Sequence, residues 1–184
     1  MFIQTERTPN PATLKFLPGC SVMESGTANF PDSAEAKHSP LALGLFAIEG
    51  TTGIFLGSDF ITVTKSDDKD WEIMKPQILG AVMEHFQSGK AVIDDQAKET
   101  VSEDAEAGDE ISQKIKELID TRVRPAVAQD GGDIIYKGFE DGIVYLHMQG
   151  ACAGCPSSTA TLKHGIENML RHYVPEVTEV RAID

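Results

Sequence analysis

Cysteine is scarce in this chain: three in 184 residues, at positions 20, 152 and 155. That number excludes a disulfide-stapled scaffold, which needs even sets of closely spaced cysteines. Positive charge is also in short supply. Sixteen Lys and Arg stand against twenty-nine Asp and Glu, a formal net charge of -13, so the chain repels nucleic acid and acidic membrane surfaces on average. Long apolar runs are missing too. The stretches Leu41 to Ile48 and Ile78 to Phe86 are too short and too interrupted to span a bilayer. No Ser-His-Asp set, phosphate loop or zinc-hydrolase helix appears, which gives no support to an enzyme. The first residues, Met1-Phe2-Ile3-Gln4-Thr5-Glu6-Arg7, have neither a secretory apolar region nor an Arg-rich, acid-poor transit pattern. On that reading the protein is expected to stay in the compartment where it is made.

What is present is a soluble globular composition, 41% hydrophobic and 24% charged. The expected fold class is α+β: two small α+β domains joined by an acidic flexible linker. Residues 1–89 read as the first domain. Thr13 to Leu17 is extended after a Pro9-Asn10-Pro11 turn, with Phe2-Ile3 opening a strand before it. Ser39 caps a short helix opened by Pro40, whose inner side carries Leu41, Leu45 and Ile48. Gly53 to Leu56 and Phe60 to Thr64 form a hairpin around Gly57-Ser58-Asp59. A helix from about Asp70 should break or restart at Pro76, with Ile78, Leu79, Val82, Met83 and Phe86 as its apolar stripe.

Residues 90–109 change character. Asp94, Asp95, Glu99, Glu103, Asp104, Glu106 and Asp109 face only Lys90 and Lys98, the pattern of a solvated linker with a reach of about 25 Å. Residues 110–184 read as a second domain. Ile111, Ile115, Leu118, Ile119 and Val123 recur at helical spacing, with Pro125 disturbing the last turn. Ile134 to Phe139 and Ile143 to Met148 form a hairpin around Glu140-Asp141-Gly142. A second helix carries Leu162, Ile166, Met169, Leu170 and Tyr173, and Val177 to Ile183 gives a last strand. The order implies a small sheet with helices on one face.

The chemistry sits in Gly150-Ala151-Cys152-Ala153-Gly154-Cys155-Pro156-Ser157-Ser158. Two thiols three positions apart lie where a strand meets a helix that Pro156 can open. At such a junction the helix dipole and free N–H groups favour negative charge, so Cys152 and Cys155 are expected to ionise more readily than ordinary cysteines. The glycines and alanines around them should leave the site open. Thiolates bind soft metals, and tetrahedral zinc and the common iron-sulfur clusters take four protein ligands. Two chains related by a two-fold axis, each giving Cys152 and Cys155, complete four sulfurs, so metal binding and dimerisation become one event. A redox disulfide is the alternative, although the strand before the motif belongs to a hairpin and not to a thioredoxin-like βαβ unit. A structural zinc bridging a dimer suits the same four sulfurs and stays open. The spacing of His147 and His164 from the cysteines matches no Cys₂His₂ pattern, and Asp130 and Asp133 could be taken for an acid pair around Gly131-Gly132. The histidines read as solvated or core residues, the aspartates as shaping a helix exit, and Cys20 as a small apolar filler.

Gln129-Asp130-Gly131-Gly132-Asp133, the strand pair after it and the Cys152/Cys155 loop resemble the NifU C-terminal domain. Thr8-Pro9-Asn10-Pro11, Leu14-Lys15-Phe16 and Asp59-Phe60-Ile61-Thr62-Val63-Thr64 resemble the N-terminal domain of Nfu proteins. The resemblance implies an iron-sulfur scaffold or carrier, not an enzyme. It implies a [4Fe-4S] cluster held between the two subunits of a homodimer by Cys152 and Cys155 of each. Upstream cluster assembly proteins and apo iron-sulfur clients are the implied partners, the lipoate synthesis enzyme among them. The first domain is then the partner-recognition unit. The bacterial cytoplasm is the expected location, or the mitochondrial matrix for a mature processed form.

Overall fold

A computed structural model describes residues 1–94, 109–153 and 156–183, the side chains of 156–158 excepted. Cys155 and most of the stretch read as linker lie outside the described residues. The chain divides into two compact units, Met1–Ser102 and Glu103–Asp184. Both are α+β, as the residue pattern implies.

In the first unit, strands β1 (Gln4–Arg7), β2 (Thr13–Leu17), β3 (Ala28–Phe30), β4 (Thr51–Leu56) and β5 (Ile61–Lys65) form one antiparallel sheet in the order β1-β2-β5-β4-β3. Alternation decides which face is inside. Leu14, Phe16, Ile54, Leu56, Ile61 and Val63 pack against Leu41 and Leu45 of α1 (Pro40–Phe46) and Met74, Ile78 and Val82 of α2 (Trp71–Ser88). Ser39 caps α1 as expected, accepting from Ala42 N at 3.1 Å. Its hydroxyl also donates to Val92 O at 2.6 Å, and Asp94 N donates to His38 O at 2.7 Å. With Val92 and Ile93 packed on this core, residues 92–94 belong physically to the first unit.

Two local expectations are corrected here, and one strand goes beyond them. Helix α2 runs unbroken through Pro76. The carbonyl that Pro76 leaves without its helical donor is that of Glu72, on an exposed turn where water can take its place. Cys20 is not an apolar filler: it is exposed, after Gly19 at φ 75° turns the chain outward. Strand β3 was not expected, because three residues are too few to show an alternation.

The second unit begins with α3 (Glu110–Leu118), a wide π-turn (Ile119–Val123) and α4 (Arg124–Gln129). Strands β6 (Gly132–Glu140) and β7 (Ile143–Gly150) then pair antiparallel, and after α5 (Pro156–Tyr173) strand β8 (Glu179–Ile183) adds parallel to β7. Asp141 and Gly142, at φ 51° and 79°, make the two-residue turn between β6 and β7, the left-handed pair that matches strand twist. Ile134, Val144, Leu146, Met148 and Val180 on one sheet face join Ile115, Ile119, Val123, Ile166 and Leu170 in a single core. Pro125 has the effect expected of it, because the helix widens just before it.

Candidate metal-binding loop

The loop that follows β7 is anchored backbone to backbone. Gly150 ends the strand at φ 64°, paired with Gly132 of β6. Ala151 N donates to Gly131 O at 3.1 Å, and Ala153 N donates to Gly150 O at 3.1 Å. From α5, Thr159 Oγ1 donates to Cys152 O at 3.1 Å. These bonds hold Cys152 at the junction of strand and helix that its sequence context predicts.

The environment of its sulfur is not the one expected. Only 6% of Cys152 is exposed, and it is part of the core of the unit. Its Sγ lies against Gly132. A methyl group added there would overlap the sulfur and stand 2.9 Å from Gln149 O and 3.0 Å from Cys152 N. Gly132 therefore accepts no side chain without moving the loop. The acidity is corrected as well. Burial, then the fields of Asp130 and Asp133, push the Cys152 thiol from 9.0 up to about 12. With desolvation and two carboxylates as its causes, the shift makes the uncomplexed thiol a weaker acid than usual.

Asp133, expected to shape a helix exit, is a buried strand residue. Its carboxylate receives Arg124 Nε at 2.8 Å and Nη2 at 2.9 Å. The ion pair strengthens the Arg124 cation through the hydrogen bond to Asp133. Arg124 was missed in the sequence because a lone arginine nine residues from an aspartate carries no recognisable pattern. Asp130 does stand at the exit of α4 and is exposed. His164 is exposed, and His147 turns Nδ1 toward Ile183 O at 3.2 Å. Among the described residues no group of three or more His, Cys, Asp or Glu is gathered to hold a metal ion. Cys20 lies in the other unit, beside Phe2 and Leu17 in an open groove.

Comparison with known proteins places these features. Residues 3–89 match the family described as "Scaffold protein Nfu/NifU N terminal", and residues 115–181 match the "NifU-like domain". The human "NFU1 iron-sulfur cluster scaffold homolog, mitochondrial" is 54% identical over 186 residues, covering 100% of this chain and 72% of that protein. This chain belongs to the Nfu family. "NifU-like protein 5, mitochondrial" of Arabidopsis thaliana is 56% identical over 186 residues, covering 98% of this chain and 67% of that protein. The solution structure of a NifU-like protein from Saccharomyces cerevisiae is 28% identical, with a TM-score of 0.47 over 52% of this chain and 86% of that one. Within the Nfu family the loop with Cys152 and Cys155 falls inside the NifU-like match. No helix among the described residues is long and apolar enough to cross a membrane.

Proposed function

We propose that this Nfu protein is a non-catalytic carrier whose cargo is a [4Fe-4S] cluster, held between two copies of the chain by Cys152 and Cys155 of each. The observation that carries the reading is the Cys-x-x-Cys loop of a NifU-like domain, with Cys152 fixed between β7 and α5 and two thiols offered by the loop of each chain. Two soft donors per subunit suit iron-sulfide cargo, and a site split between two chains is released when either lets go. Residues 1–89, with 92–94 packed against them, serve as the partner-recognition unit, the remaining acidic stretch up to 109 as a tether and 110–184 as the cluster-binding unit. Cargo arrives from upstream assembly proteins and leaves for apo iron-sulfur clients, of which the lipoate synthesis enzyme is one. The named relatives are mitochondrial, which favours the matrix over the bacterial cytoplasm expected from the sequence.

Anaerobic reconstitution with iron and sulfide tests the reading. A brown dimer with about four irons per two chains is the expected product. Cys152→Ser and Cys155→Ser should each abolish stable loading while the apo-protein stays folded. A colourless dimer retaining zinc, or a Cys152–Cys155 disulfide cycling without iron, overturns the carrier reading, and so does full iron content on a monomer.

A further inference from the structure

The π-turn at Ile119–Val123 has a geometric result. Arg124 N bonds Ile119 O, five residues back, where a regular helix would bond four back. Pro125 has no N–H to give to Thr121 O, so the widening costs no bond there. Thr121 turns its hydroxyl to Glu117 O at 2.6 Å. Ile119, Val123 and Val127 remain in the core while Arg124 reaches across to β6. There its guanidinium forks onto Asp133, with Nη1 also 3.4 Å from Asp120 Oδ1. Asp133 Oδ1 accepts from Ile134 N at 2.8 Å as well. A two-pronged Arg–carboxylate contact sets both distance and orientation, which a point charge does not. One residue before Asp133 is Gly132, the place where the strand meets the Cys152 sulfur with no room for a side chain.

We propose that the Arg124–Asp133 pair is a positioning element for Cys152: it ties the start of β6 to the α3–α4 helix so that Gly132 forms the seat on which the sulfur rests. The role rests on the reading of Cys152 as a cargo ligand. Neither Arg124 nor Asp133 is a ligand in it; both act through Gly132. The seat fixes where the sulfur waits before cargo arrives.

The test uses the full apo-chain carrying Cys20→Ser, so that only the loop thiols react. Labelling by iodoacetamide at constant pH is read for Cys152 and Cys155 by peptide mass spectrometry. Arg124→Lys keeps the positive charge and loses the fork; Asp133→Glu keeps the charge and the acceptor oxygens but lengthens the arm by one methylene. In both variants Cys152 labelling should rise tenfold or more, while Cys155 changes less than twofold. Gly132→Ala, which strikes the sulfur directly, should give the same selective rise. Wild-type labelling of Cys152 in whichever of the two pair variants folds overturns the proposal. An equal rise at both thiols with a lowered melting temperature overturns it too, because that is general loosening. Iron loading separates this from the ligand reading. If Cys152→Ser loads normally, the ligand role falls while a selective labelling result still assigns the seat to the pair. If Cys152→Ser fails to load and Arg124→Lys labels like wild type, the positioning role alone falls.

Discussion

A thiol enclosed in a core beside two carboxylates should be nearly inert, and for Cys152 the size of the effect can be worked out. Burial first, then Asp130 and Asp133, move it from 9.0 up to about 12. At pH 8 a thiol at the ordinary value is roughly one-tenth ionised, and one at the shifted value about one part in ten thousand, so the folded chain offers about 1000-fold less thiolate at this position. Since the thiolate is the nucleophile, alkylation of Cys152 in the native apo-chain should be about 1000-fold slower than in the same chain unfolded in urea at the same pH. Exclusion of the reagent from the core lowers the native rate further. The same shift fixes the sign of a pH effect on stability. Below about pH 9 both states hold the proton and the group contributes nothing. Between about 9 and 12 the unfolded chain releases a proton that the native chain keeps, so stability falls as pH rises, by about 1.4 kcal/mol per pH unit. Denaturant melts of the apo-protein at pH 8, 9 and 10, with Cys152→Ser as the control, measure that decline. Native alkylation within tenfold of the unfolded rate, or an alkaline decline that persists undiminished in Cys152→Ser, would refute the reasoning.

Two further outcomes concern the first unit. Ser39→Ala removes both the cap on α1 and the bond to Val92 O, and should lower the denaturant stability of that unit by about 1–2 kcal/mol. Limited proteolysis should then cut more readily near residue 94. His85 is buried on α2, its Nε2 has no partner among the described residues, and burial followed by the charge of Lys90 holds its pKa below 6.5. The unfolded chain takes up a proton below about pH 6.5 that native His85 resists, so the stability of this unit should fall on acidification and be fully present above that value. His85→Leu should flatten the difference between melts at pH 7.5 and 5.5; an unaltered difference would show that another group carries it.

What could be read from the residues follows from how local each signal is. The cap at Ser39, the hairpin turn at Asp141-Gly142 and the strands on either side depend on neighbours within a few positions, so their residue types announce them. The place of Cys152 between strand and helix was legible for the same reason. Its chemistry was not, because what sets it lies elsewhere in the chain. Gly132 and Asp133 come from β6, twenty and nineteen positions away, and Arg124 comes from a helix that Pro125 has re-phased. Dipole reasoning from the junction alone therefore gave the wrong sign for the acidity. Pro76 misled for a related reason: whether a proline breaks a helix depends on whether the abandoned carbonyl faces water, and that is a property of the packed helix.

A buried, protonated sulfur is at first sight a poor choice for a metal donor, yet it fits a site meant to give its cargo up. Metal binding requires the thiolate, so loading must remove the proton that the native fold retains. On the proposed function, the proton that burial and the two carboxylates hold on Cys152 opposes each Cys152–metal bond, relative to the same cysteine in an ordinary environment. With one such residue in each of the two chains of the proposed dimer, that opposition enters twice. Binding is then weaker than four free thiolates would give, and the apo-state is itself a well-packed structure to which the chain returns on release. A carrier with exposed, readily ionised thiols would bind more tightly and also lose those thiols to oxidation between rounds. On the function proposed above, the burial that makes Cys152 unreactive protects the empty site and shifts the equilibrium toward release of the cluster.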